Sequence, residues 1–173
     1  MIQEILETSK LGGQAKHEPL VKTDLSSLLT TICAPYEQIA KARGTIFNLD
    51  LSGGFFAELP LEMFCKAIST VLANAVAYSE PDKTISVFFD DSTLVIENEC
   101  TPIPIEALKH IFEPFYRPDY ARNQDDGGNG LGLYIVDTLL KAMNFSYSFY
   151  PMKQSLGMRF EIYIENNIKA SYY

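Results

Sequence analysis

The sequence predicts an α+β fold, a two-layer α/β sandwich whose mixed, mainly antiparallel sheet carries its helices on one face. Three observations predict it. Segments with apolar residues at helical spacing alternate with segments that switch apolar and polar residues at every step. Their order reads α-β-α-β-β-(α)-loop-α-β-β. That order lacks the strict βαβ alternation of a dinucleotide-binding sheet.

The elements follow in turn. Ile2, Ile5 and Leu6 sit at helical spacing until Gly12-Gly13 ends the pattern, so residues 1–14 read as the tail of a helix cut from something longer. Asp24 is a plausible N-cap for a helix with Leu25, Leu28, Leu29, Ile32, Tyr36 and Ile39 on one face, stopped by Gly44. TIFNLDL (45–51) reads as a strand with Phe47, Leu49 and Leu51 inward. Pro60 opens the next helix, with a stripe of Phe64, Cys65, Ile68, Val71, Leu72 and Ala75. TISVFFD (84–90) and TLVIENE (93–99) form a hairpin across Asp91-Ser92. A short helix is expected over Ile105 to Phe112, then a long loop over 113–129 that holds Pro114, Pro118 and a DDGG cluster. A helix over 130–143 and strands over 145–150 and 158–164 complete the domain, which spans 15–165 and leaves 166–173 as a tail.

Composition narrows the function. The net charge of -8 argues against a nucleic-acid surface. Three widely spaced cysteines argue against a metal site or a disulfide framework, and place the chain by default in the cytosol. No apolar run has the length of a membrane span, and no secretory signal opens the chain. An acidic protein that binds a polyphosphate must use backbone amides, a metal ion and a few placed cations.

GGNGLGLYIV (127–136) invites that reading. No strand precedes it and no Lys-Ser/Thr follows, so neither a Rossmann loop nor a P-loop fits. Gly128, Gly130 and Gly132 would let backbone approach an anion while the first amides of the helix point at it. The bland alternative is a hinge before a helix. Asn74 lies at the rim of its helix with Thr70 and Tyr78 at i±4; it is either a solvated flank residue or a neutral oxygen ligand suited to Mg²⁺. Asn98 ends a strand, where its amide could read an exocyclic amine or make an Asx-turn. IFEPFYRP (111–118) packs Phe112, Phe115, Tyr116 and Arg117 at the start of the loop, if only to anchor it.

In this order the segments resemble the catalytic, ATP-binding domain of bacterial sensor histidine kinases, with the Bergerat-type fold shared by gyrase, the heat-shock-90 chaperones and the MutL proteins. STVLANAVAYS (69–79) is similar to the N box, NECTPIP (98–104) to the first glycine box, IFEPFYR (111–117) to the F box and GGNGLGLYIV to the second glycine box. SLGMRFEIYI (155–164) is similar to the closing strand, and residues 1–14 resemble the end of the second helix of a dimerisation and phosphotransfer hairpin. NAVAYS and the asparagine at 98 resemble Gram-positive sensors of cell-wall antibiotics, such as the vancomycin-resistance and lantibiotic-response kinases.

The resemblance implies roles. Asn74 would hold Mg²⁺ against the ATP phosphates, and Tyr78 would pack beside the nucleotide. Asn98 would read adenine. Gly127, Gly128, Gly130, Leu131, Gly132 and Leu133 would form the lid hinge and phosphate cradle. Phe112 and Phe115 would anchor a mobile lid over about 113–129, and Arg117 would reach the γ-phosphate. It also implies partners: ATP, the chain's own hairpin, and a response regulator that receives the phosphate on an aspartate. The parent would be a homodimeric membrane sensor with this domain in the cytoplasm, and this piece a monomer.

The chain also departs from the pattern. Asn98 replaces an aspartate, Cys100 and Pro102 replace glycines, and Met158 replaces a threonine, which predicts a weakened grip on adenine. Ala77 stands where a lysine is common. Thr70 stands where hydrolysing relatives carry a glutamate base, which disfavours a free-standing ATPase. His17 lies beside Pro19 without the phospho-acceptor pattern, and His110 precedes the F box, so the acceptor histidine is expected on a segment outside this chain. The alternative function is a degenerate nucleotide-binding module that acts by docking.

Overall fold

The computed structural model describes residues 18–52, 56–118 and 129–164. The elements are β1 (Leu20–Asp24), α1 (Leu25–Ala42), β2 (Ile46–Asp50), β3 (Phe56–Pro60) and α2 (Leu61–Tyr78). They continue with β4 (Thr84–Asp90), β5 (Thr93–Asn98), α3 (Ile105–Leu108), α4 (Gly132–Ala142), β6 (Ser146–Pro151) and β7 (Met158–Tyr163). The main sheet runs β2-β4-β5-β7-β6, with β2 parallel to β4 and every other pair antiparallel.

Period-two patterning explains the two layers. Ile85 and Val87 of β4, Leu94 and Ile96 of β5, and Phe160 and Ile162 of β7 are buried against the helices. Phe47, Leu49 and Leu51 pack inward as expected. Phe64, Ile68 and Leu72 of α2 and Leu139 and Leu140 of α4 complete the core from the helical layer.

Local signals set the ends of α1. The Asp24 carboxylate accepts from the backbone N–H groups of Ser26 and Ser27 at 3.0 and 3.4 Å. At the other end Gly44 takes φ +77°, and Thr45 N–H donates to Ala40 O at 2.9 Å, closing a Schellman turn. Asn144 ends α4 the same way at φ +61°, with Phe145 N–H donating to Leu140 O.

Several expectations need correction. Ile39 is 49 % exposed, because the buried stripe of α1 runs through Leu25, Leu29, Ile32, Cys33 and Ala40 and leaves position 39 to solvent. Cys65 lies at the edge of its stripe, half-buried; Ala67 and Val76 fill the α2 face instead. The helix expected to reach Phe112 stops at Leu108, and i→i+3 turns through His110 and Glu113 replace it. The last helix starts at Gly132, two residues later than predicted. An antiparallel ribbon, β1 with β3, carried no expectation. Residues 1–14, His17, Gly127, Gly128 and the tail 166–173 lie outside the described residues.

Candidate nucleotide site

Between α2, the end of β5, the start of α4 and the F-box segment lies a cavity of about 1030 Å³. Asn74, Tyr78, Asn98, Arg117, Gly130, Gly132 and Leu133 all line it, so segments 69–79, 98–104, 111–117 and 129–133 meet in space. Arg43, Lys66 and Arg117 are its cations among the described residues, and Glu80 its carboxylate. In a chain of net charge -8, the described wall of this cavity thus carries three cations to one carboxylate.

At one end of the cavity Asn74 meets α4. A Cβ on Gly132 would stand 2.9 Å from Asn74 Nδ2 and 3.0 Å from Oδ1, so only glycine lets the amide reach that helix start. The N-cap of α4 is Leu131, which makes no side-chain cap bond; Asn129 Oδ1 accepts from Leu131 N–H at 3.1 Å. The amides of the first turn therefore face the cavity without a capping side chain, at the positive end of an 11-residue helix. Gly130, at φ +72°, accepts from Phe115 N–H at 3.0 Å, and a Cβ there would lie 2.8 Å from Phe115 carbonyl carbon.

At the other end Asn98 is 9 % exposed, paired in register with Met158. Burial pushes the neighbouring Cys100 thiol up to about 11, opposed by a side-chain hydrogen bond with Asn98. Met158, in the threonine position, is not idle: its sulfur accepts from Ile103 N–H at 3.4 Å and so shapes the loop after β5. Gly157 packs directly beneath, where a Cβ would come within 2.4 Å of Asn98 O.

Three expected residues stand outside the cavity wall. Leu131 is fully buried in the core. Phe112 packs edge-on against Tyr147 and Phe149, at 5.5 and 6.1 Å between centroids, which holds the F-box segment to β6. Phe115 is 51 % exposed with φ +66°. The cavity also takes in Tyr116 of the F-box segment, and Arg43 and Lys66, which the motifs did not single out. Lys66 and Thr70 lie on the Asn74 face of α2 at i-8 and i-4, a helical signal that was available. Thr70 Oγ1 is turned onto its own helix, donating to Lys66 O at 2.8 Å.

The model of the histidine kinase-, DNA gyrase B- and HSP90-like ATPase family matches residues 62–168. The chain belongs to that family. This ATPase-family domain is 29 % identical over 162 residues to the sensor histidine protein kinase HK06 of Streptococcus pneumoniae serotype 2, covering 94 % of this chain and 35 % of that protein. It is 30 % identical over 145 residues to the sensor protein RstB of Escherichia coli K12, covering 83 % and 33 %. The chain thus spans about a third of the length of these curated relatives. They come from Streptococcus and Escherichia, and so place the domain among sensor kinases without narrowing it to an antibiotic-sensing branch. Full-length ShkA, solved in complex with AMPPNP, shares the fold at a TM-score of 0.76 and 20 % identity, over 93 % of this chain and 34 % of that one. The domain is therefore an ATP-binding catalytic domain of the kind carried by sensor histidine kinases, with their α+β sandwich. Among the described residues no helix is long and apolar enough to cross a membrane.

Proposed function

We propose that this domain binds ATP with Mg²⁺ and transfers the γ-phosphate to a histidine on a hairpin domain, for relay to an aspartate of a response regulator. The observation that carries the reading is the meeting of Asn74 with the glycine start of α4, in a cavity whose cations outnumber its carboxylate among the described residues. ShkA, which shares this fold, was solved with AMPPNP, and that supports a nucleotide as the ligand here.

Asn74 Oδ1 fits the metal: it is a neutral oxygen donor beside a helix start with open amides. Among the described residues no cluster of three or more His, Cys, Asp or Glu could hold an ion. Asn74 would therefore be the protein's ligand, with phosphates and water as the others. The ion would supply charge neutralisation across the β- and γ-phosphates. Gly130, Gly132 and Leu133 would give backbone donors to the phosphates, with the 127–128 glycines extending that cradle. Arg117 would add a cation at the γ-phosphate, Tyr78 would flank the nucleotide, and Asn98 would orient the base. Phe112 and Phe115 would anchor the segment that closes over it.

Thr70, bonded to its own helix, offers no general base for water, which favours transfer to a supplied nucleophile. Of the two histidines, His110 is half-exposed and engaged with Glu113 at 2.7 Å, and His17 lies outside the described residues. The acceptor would thus sit on the hairpin whose end residues 1–14 resemble, in a dimeric membrane-anchored parent. NAVAYS and Asn98 favour a Gram-positive antibiotic sensor as that parent. The test is calorimetric titration with AMPPNP, with and without Mg²⁺, on the chain and on Asn74→Ala. Metal-dependent binding weakened by the substitution supports the reading. No binding in either condition overturns it and puts the docking module first.

A further inference from the structure

Arg43 lies far from every motif, yet it lines the same cavity as Asn74. Its backbone is fixed by two constraints. It is the C-cap of α1, followed by Gly44 in the left-handed conformation. Gly44 O in turn accepts from Asp82 N–H at 2.8 Å, which ties the end of α1 to the turn that follows α2. From that anchor the guanidinium crosses to α2, where Nη2 donates to Ala77 O at 3.2 Å.

Ala77 is three residues past Asn74, so this bond brings a fixed positive charge to the last turn of the helix that carries Asn74. A carbonyl near a helix C-terminus is a good seat for a cation, but a single acceptor uses one of five guanidinium donors. Among the described residues no carboxylate pairs with Arg43. Glu80, the carboxylate of the described wall, is engaged instead by the Thr101 hydroxyl at 3.2 Å. A cation on a cavity wall with no ion pair of its own is suited to an anionic ligand, and a planar guanidinium suits phosphate oxygens.

We propose that Arg43 is a phosphate-binding residue of this site, delivered from the end of α1 to the last turn of α2. The inference rests on the nucleotide reading above. A merely structural role, as a clasp between α1 and α2, makes a different prediction, and the experiment separates the two.

The chain, Arg43→Gln and Arg43→Lys are titrated with AMPPNP and Mg²⁺, and then with adenosine, with melting temperatures recorded alongside. Loss of a charge-assisted hydrogen bond predicts AMPPNP binding about tenfold weaker in Arg43→Gln. Adenosine binding should be unchanged, and Arg43→Lys should recover most of the AMPPNP affinity. A shallower dependence of AMPPNP affinity on salt in Arg43→Gln is the second expected result. Equal AMPPNP affinity in the chain and Arg43→Gln overturns the proposal while leaving the nucleotide reading intact. So does a parallel loss of AMPPNP and adenosine binding with a lowered melting temperature, the mark of a clasp. A parent chain that binds no AMPPNP overturns both.

Discussion

The amide of Asn74 lies so close to Gly132 that a methyl group on the glycine would come within 2.9 Å of Asn74 Nδ2. Two helices distant in sequence thus share one contact, and it sits where the Asn74 amide meets the first amides of α4. Gly132→Ala tests that geometry. Alanine is the better helix former by about 0.5–1 kcal/mol, so stability should change little. The displaced Asn74 amide should instead weaken Mg²⁺-dependent AMPPNP binding at least about tenfold, or about 1.4 kcal/mol. Calorimetry paired with urea unfolding checks both halves; an unchanged affinity would remove Asn74 from the phosphate end.

Gly130→Ala should act on stability as well. Its φ of +72° is strained for any L side chain, and the new Cβ would stand 2.8 Å from Phe115 carbonyl carbon and 2.9 Å from Tyr116 O. Backbone strain of this kind costs about 1–3 kcal/mol, and the Phe115 N–H bond to Gly130 O would be stretched with it. A drop in the urea midpoint at unchanged m-value is the expected signature.

The outer face of the sheet makes a pH prediction. Arg159 donates to Glu161 at 2.7 Å and to Glu97 at 2.8 Å, while Tyr150 and Tyr163 hydroxyls donate to Glu161 at 2.7 and 2.8 Å. Burial pushes the Glu161 carboxyl up, but these donors outweigh it and hold its pKa below the ordinary carboxylate value. A depressed folded-state pKa stabilises the protein above the unfolded-state value, about 4.3 for glutamate, and that contribution is lost as pH falls through the lower folded value. The melting temperature of the chain should therefore fall more steeply below about pH 4.3 than that of Glu161→Gln.

Removing the cation is harsher. Arg159→Met leaves Glu97, its partner in register on β5, and Glu161, two residues along β7, on one face of the sheet, half-buried and without their common partner. The expected cost is about 1–3 kcal/mol at neutral pH, read from denaturant unfolding.

The helices and the β4–β5 hairpin were legible because burial follows their periodicity. Phe64, Ile68 and Leu72 appear at helical spacing and are fully buried. The motif residues Asn74, Asn98 and Gly132 reach one cavity because each ends or edges a regular element, and Arg117 joins them from the turns that follow α3. The β1–β3 ribbon was not legible. LVKTD lies on the periphery with Leu20 and Val21 exposed, so no alternation marks it, and in FAELP the proline signals the helix that follows. Ile39 misled because an apolar residue one position off the stripe has the same sequence signature as one on it. Arg43 was invisible for another reason: only the folded chain brings the end of α1 beside Ala77.

The hydrogen bond from Phe115 N–H to Gly130 O has a wider consequence. It holds residues 115 and 130 together, so the closure of the stretch between them is set at its described ends. Closure entropy grows only logarithmically with the number of residues enclosed, by about 0.6 kcal/mol for each doubling. The span between residues 115 and 130 is thus a place where this domain can lengthen, shorten or change composition at small thermodynamic cost. Asn74 and the start of α4 would keep their places whatever the length of that span.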